Sequence, residues 1–399
     1  MDAFVKVGSR HENERINGIS HFLEHLNFKG TKKYPTARKL SEVIDAVGGV
    51  FNANTGKEHT QYYAQVGSKH LTLAFDVVTD LFLYPTFKPH EIEREKGVII
   101  EEINMYLDDP PRHVLDMVEE GMWDHHALGR YIIGHPENIR GISKQDILDY
   151  RGKFYSPANS IVCIAGKFDE VEVRKLVKKY WSSFDGPKDI PMAERPDSAK
   201  QKYLSLQSKK TSQAHFVLGF RGLDREDEDN YALNVLAAIL GGGMSSRLFT
   251  EVRERRGLAY YVQAMAENYQ DTGIFLARAG VEIGKIDMAL QVVVKELSKA
   301  KKSLVSPIEL RKNKEYLKGR ISLQLEDTES KLAWYLDQVA FRNKIEEPTT
   351  WMKKVDAVTP QDIRRVAQKI IRKDNVTVAV VGPYSDRDKK TFGEIVGKL

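Results

Sequence analysis

The sequence predicts an α+β protein of two duplicated domains, each a mostly antiparallel sheet covered by helices. An internal repeat is the first reason. ISKQDILDYRGKFYSPANSIVCIAG (Ile142 to Gly166) lies on VTPQDIRRVAQKIIRKDNVTVAVVG (Val358 to Gly382) at a constant offset of 216 with no gap. Gln145, Asp146, Ile147, Lys153, Asn159, Val162 and Gly166 coincide with Gln361, Asp362, Ile363, Lys369, Asn375, Val378 and Gly382. Matched element order over an ungapped stretch of this length points to duplication. The second reason is length: 399 residues exceed one ordinary core and suit two domains of about 200 residues each. The third is the spacing of short alternating strands between long amphipathic segments, the pattern of antiparallel sheets under helices.

Each copy of the repeat reads as a capped helix, a turn and a strand. Ser143 and Thr359 stand three residues ahead of Asp146 and Asp362, where an N-cap side chain satisfies free helix N–H groups. In the first half YYAQVGS near Tyr62 reads as a strand, and helices begin near Ser68, Pro89 and Pro111. In the second, HFVLGF and GIFLARAG read as strands, and helices begin near Asp227, Ser245, Pro307 and Asp327. The polar, proline-bearing stretch from Phe184 to Lys200 reads as a linker, giving domains over 1–185 and 200–399.

Composition narrows the function. The chain is 41% hydrophobic and 29% charged, with a net charge of +5 from 61 basic and 56 acidic residues. No apolar run is long enough to span a bilayer, and no basic run is interleaved with aromatics, so neither a membrane nor nucleic acid is expected as a partner. The single cysteine, Cys163, falls in the apolar run SIVCIAG and reads as buried strand packing. The first residues show no basic segment followed by an apolar one, so no signal peptide is expected and the cytoplasm is the default location.

The chemistry concentrates in HFLEH. His21 and His25 are four apart and project from one face of a helix, with Glu24 close to that face. Two imidazoles and a carboxylate on one stripe suit a metal site with a general base. The competing reading is a helix whose histidines pack or cap locally. Two ligands do not complete a catalytic zinc site, which takes three and leaves a position open. EREKGVIIEEINMYLDD offers the third on a helix from Pro89 to Asp108. Glu95 and Glu102 are seven apart and share a face to within about 20°. Val98 and Ile99 lie between them, so that face is expected to be buried, while Glu101 points away by about 100°. Geometry leaves Glu95, Glu101 and Glu102 as candidates. Asp124-His125-His126 is a rival cluster, but adjacent histidines point apart and the segment reads as a loop.

GSRHENERINGISHFLEHLNFKGT resembles the zinc-site signature of the insulinase (pitrilysin) family, and the chain is most similar to mitochondrial processing peptidase beta subunits and their short bacterial relatives. The likeness continues through GGVFNANTGKEHTQYYAQV, EREKGVIIEEI and LGGGMSSRLFTEVRERRGLAY, and so covers both halves. The resemblance implies a processing-peptidase-like fold in which His21, His25 and Glu102 bind one Zn²⁺, Glu24 is the base and Glu95 supports the site. It implies that Asn52 and Ala53 lie on an edge strand that pairs with peptide substrate. Arg253 and Tyr260 match an arginine–tyrosine pair used beside the scissile bond, with Tyr261 as the neighbouring alternative. Zinc-dependent endopeptidase activity on unfolded or extended peptides is the implied function, and a non-catalytic partner subunit is the alternative. The resemblance also implies a chamber closed by two chains, either a homodimer or a heterodimer with a related chain. Family members usually carry a longer lead before GSR, so the first sheet is expected either to lack an edge strand or to have its start elsewhere.

Overall fold

A computed structural model of the chain describes residues 1–196 and 199–399. Of the linker expected over 184–200, Asp197 and Ser198 lie outside the described residues. The fold is α+β, with two sheets of the same construction. The first contains β1 (Asp2–Val5), β2 (Val50–Thr55), β3 (Thr60–Gln65) and β4 (Ser160–Cys163) in the order β2-β3-β1-β4, every neighbouring pair antiparallel. The second contains β5 (Leu204–Ser208), β6 (Gln213–Arg221), β7 (Ala259–Asn268), β8 (Gly273–Glu282) and β9 (Val376–Gly382) in the order β5-β9-β6-β8-β7. Only β5 with β9 is parallel there.

The repeat explains the match. Helices Lys144–Phe154 and Pro360–Ile370 begin on full capping boxes at Ser143/Asp146 and Thr359/Asp362, and β4 and β9 follow at the same offset. The repeated asparagine has the same task in both copies. Asn159 Nδ2 donates to Phe154 O at 3.0 Å and Lys6 O at 3.3 Å; Asn375 Nδ2 donates to Ile370 O at 2.8 Å and Arg221 O at 2.9 Å. Each side chain therefore ties the end of its helix to the neighbouring strand's chain, β1 in one unit and β6 in the other. Placed on β4 and β9, the order β2-β3-β1-β4 coincides with β7-β8-β6-β9, and β5 is an extra strand outside β9.

That extra strand accounts for a difference from the sequence reading. All of β9 is buried, whereas β4 is half-exposed along its length, and Cys163 with it. β4 is an edge among the described residues, so its cysteine is partly open rather than buried.

By contacts the chain forms two compact units, Met1–Met105 with Arg130–Glu194 and Leu325–Ala340, and Tyr106–Gly129 with Arg195–Gln324 and Phe341–Leu399. They are not the two contiguous stretches that one cut in the linker gives. The segment with helix Pro110–Met122 joins the second unit, and the segment with helix Thr328–Phe341 joins the first. Both helices occupy the same place in the repeat. In the second unit Val114, Val118, Met122 and Trp123 cover one sheet face through Val217, Leu276, Ala379 and Val381. The other face packs Phe216, Phe220, Phe275 and Val380 beneath helices Asn230–Ala237, Ile286–Lys302 and Pro360–Ile370. In the first unit Phe22, Leu23, Tyr62, Phe75 and Phe82 are fully buried. No helix among the described residues is long and apolar enough to cross a membrane.

Replacing Asn159 or Asn375 by Ala leaves buried carbonyls without donors, and each change is expected to lower stability by about 1–3 kcal/mol. Urea unfolding measures this. An unchanged midpoint in both variants would separate the repeat's sequence identity from its structural role.

Candidate metal centre

The histidine motif sits on helix Ile19–Asn27. Phe22, Leu23 and Leu26 face the core, which leaves His21, Glu24 and His25 on a half-buried stripe. The helix starts at Gly18, in the left-handed region at φ 96°, where a Cβ would stand 2.7 Å from Ile133 O. Glycine is needed there, and it offers no capping side chain. Glu12 supplies the cap from outside the helix. Its carboxylate accepts from Gly18 N at 2.7 Å, Ser20 N at 2.8 Å and Asn17 Nδ2 at 2.9 Å. Ser20 Oγ is in turn 2.8 Å from Tyr150 OH. The first turn of the helix is thus fixed by hydrogen bonds before its imidazoles are considered.

The second element is helix Pro89–Leu107. Its buried face is Ile92, Glu95, Ile99 and Ile103, with Glu102 half-buried and Glu101 exposed. Val98, expected on the buried face, is 46% exposed. The stripe turns through Ile99 and Ile103, and Val98 falls on its solvent side.

His25 Nε2 stands 3.4 Å and His21 Nε2 3.9 Å from Glu102 Oε2. One ligand atom from each of the three residues lies within 4.8 Å of the others, and no other such group of three or more His, Cys, Asp or Glu occurs among the described residues. Donors around a tetrahedral zinc at about 2.0–2.1 Å are separated by about 3.3 Å, close to the shorter of these distances. Two imidazole nitrogens and one carboxylate oxygen also form a ligand set that leaves a fourth position open. The residues present fit zinc.

Glu95 is only 1% exposed and stands behind the ligands. With His25 Nε2 kept as a donor to metal, the ring proton is on Nδ1 and is given to Glu95 Oε1 at 2.9 Å. Lys29 Nζ, one helical turn beyond His25, meets Glu95 Oε2 at 2.9 Å. Burial pushes the Glu95 carboxyl up, but the bonds from His25 and Lys29 outweigh it and hold the group below its ordinary value. Glu24 goes the other way: burial raises its carboxyl, and a hydrogen bond from Thr55 Oγ1 to Oε2 offsets part of the rise.

Asn52 and Ala53 lie on β2, the edge of the first sheet, and Asn52 Oδ1 accepts from Ala53 N at 2.9 Å. Arg253 belongs to the second unit, on the wide helical turn Phe249–Glu254, its guanidinium 5.0 Å from the centre of the Phe249 ring. The register of β7 against β8 shifts between Ala259 and Tyr261. Tyr260 is the extra residue, and such a bulge re-aims a side chain; it is 58% exposed. Tyr261 is half-buried and committed, its hydroxyl 3.1 Å from His215 Nδ1. Asp124-His125-His126 forms a turn with His125 at φ 61° and His126 buried.

The sequence model described as Insulinase (Peptidase family M16) matches residues 2–135, and that described as Peptidase M16 inactive domain matches residues 141–317. The uncharacterized zinc protease YmxG of Bacillus subtilis is 34% identical over 96% of this chain and 92% of its own. An uncharacterized zinc protease of Streptomyces coelicolor is 35% identical over 98% of this chain and 86% of its own. The chain belongs to the insulinase family of peptidases. A solved protease from Helicobacter pylori has the same fold, with a TM-score of 0.89 and 25% identity over 96% of this chain and 93% of that one. Within this insulinase-family chain the half that matches the inactive domain contains none of His21, His25 and Glu102.

Sequence reasoning missed Glu12, Lys29 and Thr55. Lys29 carried a partial signal, since it follows His25 by four residues, one turn's spacing, although the helix ends at Asn27 and Lys29 lies in the turn after it. Glu12 and Thr55 reach the motif through tertiary contacts and carried none.

Zinc affinity separates the three glutamates of the second helix. Glu102→Ala is expected to abolish stoichiometric zinc at neutral pH, and Glu95→Ala to weaken binding by about 10–100-fold through loss of the His25 partner. Glu101→Ala should leave zinc content unchanged. Competition with a zinc-binding dye reads all three, and an empty site in Glu101→Ala would reassign the third ligand.

Proposed function

We propose that the chain is a zinc-dependent endopeptidase that hydrolyses unfolded or extended peptides. The observation that carries this reading is the convergence of His21, His25 and Glu102, with Glu24 on the same helix stripe and an open strand edge, β2, in the same unit. When bound by those three residues, zinc supplies Lewis acidity, polarising a scissile carbonyl and lowering the pKa of water towards about 7. Glu24 takes a proton from the attacking water and returns it to the leaving amine. Its burial supports this role, because a carboxyl raised above its ordinary value holds a proton more readily than a solvated one. The outer edge of β2, which pairs with no strand among the described residues, receives an extended peptide as an added strand at Asn52 and Ala53, the peptide taking the place of Asn52 Oδ1 on Ala53 N. Main-chain pairing of that kind tolerates many sequences and rejects folded partners.

Arg253 and Tyr260 donate to the developing oxyanion or to a neighbouring carbonyl of the substrate. The solvent exposure of Tyr260, against the engagement of Tyr261 with His215, supports Tyr260 as the phenol that does so. Because one chain carries both the histidine motif and this pair, we take the working unit to be a homodimer in which Arg253 and Tyr260 serve the partner's zinc site. An intact set of metal donors weighs against a purely structural partner subunit, which has no use for one.

Purified protein incubated with a mixed peptide pool, with and without a chelator, tests the reaction by mass spectrometry of the products. Cleavage that stops with the chelator and returns with zinc is expected; cleavage indifferent to chelation contradicts the proposal. Glu24→Gln should keep its zinc and lose activity by about 10²–10⁴-fold. Mixing inactive Glu24→Gln and Arg253→Ala chains should restore activity to about one quarter of wild type per site if subunits exchange at random. No recovery despite demonstrated exchange would confine the pair to its own chain or remove it from catalysis.

A further inference from the structure

We propose that Thr55 is a positioning residue that aims the Glu24 carboxylate, an assignment that rests on the reading of Glu24 as the general base. Thr55 is the last residue of β2 and only 9% exposed. Its backbone is registered against Thr60 of β3, and Thr60 Oγ1 donates to Val7 O at 2.9 Å. A β-branched side chain on a paired strand has little χ1 freedom, so its hydroxyl is a fixed donor. A glutamate on a helix has three rotatable bonds, and the helix restricts the first more than the outer two, which set the direction of the carboxylate. The hydrogen bond from Thr55 Oγ1 to Glu24 Oε2 fixes that direction. It engages one oxygen of the carboxylate and assigns the proton exchange to the other, Oε1. One proton leaves the attacking water for Oε1 and passes from there to the leaving amine.

The same strand carries Asn52 and Ala53, three and two residues earlier. A peptide added to β2 is therefore aligned by the strand whose final residue aims the base. The register of the substrate and the direction of the carboxylate are set by one piece of backbone. A shift in β2 moves both together, which keeps the scissile bond and the base matched for peptides of different sequence.

The test uses the full chain, its zinc content and a quenched-fluorescent peptide built around a wild-type cleavage site. Thr55→Val keeps the shape and removes the donor; kcat should fall by about 10–100-fold, as for a misplaced reacting group. Its KM should stay within about twofold and its zinc content should not change, because the loss is confined to the transition state. Thr55→Ser restores the hydroxyl and should recover most of kcat. Glu24→Gln/Thr55→Val should be no slower than Glu24→Gln alone, since the hydroxyl acts through the carboxylate. If the valine variant does not fold, Thr55→Ala gives the same comparison. Wild-type kcat in Thr55→Val, equal damage in Thr55→Ser, a loss carried by KM or by zinc, or a further drop in the double variant would each overturn the assignment. A Glu24→Gln chain as active as wild type would instead overturn the general-base reading, and the role of Thr55 with it.

Discussion

The half-buried stripe of the motif helix holds two imidazoles and a carboxylate, facing a further carboxylate from helix Pro89–Leu107. Lone pairs brought this close out of bulk water are costly unless a cation or proton lies among them. The rest of the first unit is arranged to keep them there. Glu12 fixes where the motif helix begins, Phe22, Leu23 and Leu26 fix its rotation, and Glu95 with Lys29 fixes the His25 ring. On the other helix Ile92, Ile99 and Ile103 are buried, which sets the direction of Glu102. The placement of His21, His25 and Glu102 thus depends on apolar packing on the far sides of two helices and on one carboxylate cap.

The duplication shows what such a frame does without the donors. In the second unit β6 is followed by helix Asn230–Ala237 and then by β7 and β8, the order that β1, the motif helix, β2 and β3 follow in the first. The segment NYALNVLAAILGG in that place has no histidine, and its apolar residues join the core of the second unit. Each repeat also keeps its capping box and its bridging asparagine. The capping box and the bridging asparagine occur in both copies, whereas the cluster of His21, His25 and Glu102 occurs in one. The edge strands differ as well. β2 ends on the hydroxyl that meets Glu24, and β7 begins with a bulge that turns Tyr260 to solvent.

What the sequence disclosed follows from how local each interaction is. Capping boxes, helix spacing and the 216-residue offset are local or periodic, and they located both repeat copies and the histidine stripe. Spacing alone left Glu95, Glu101 and Glu102 open. The structure separates them by burial and distance, with Glu95 on the Nδ1 side of His25 and Glu102 on the Nε2 side. Glu12 caps a helix six to eight residues away through an irregular loop, and Thr55 meets Glu24 across 31 positions. No periodicity reports such contacts. Cys163 and Val98 were misplaced for a related reason. An apolar neighbourhood in sequence does not show whether a strand is an edge or which side of a helix the core takes.

The central claim is that His21, His25 and Glu102 form one zinc site. Crystals of the zinc-loaded protein, measured on both sides of the zinc absorption edge, test it most directly. The account predicts a single anomalous peak per chain, at about 2.0–2.2 Å from His21 Nε2, His25 Nε2 and a Glu102 carboxylate oxygen. A peak elsewhere, or a loaded chain in which Glu95 or Glu101 takes the place of Glu102, would contradict it.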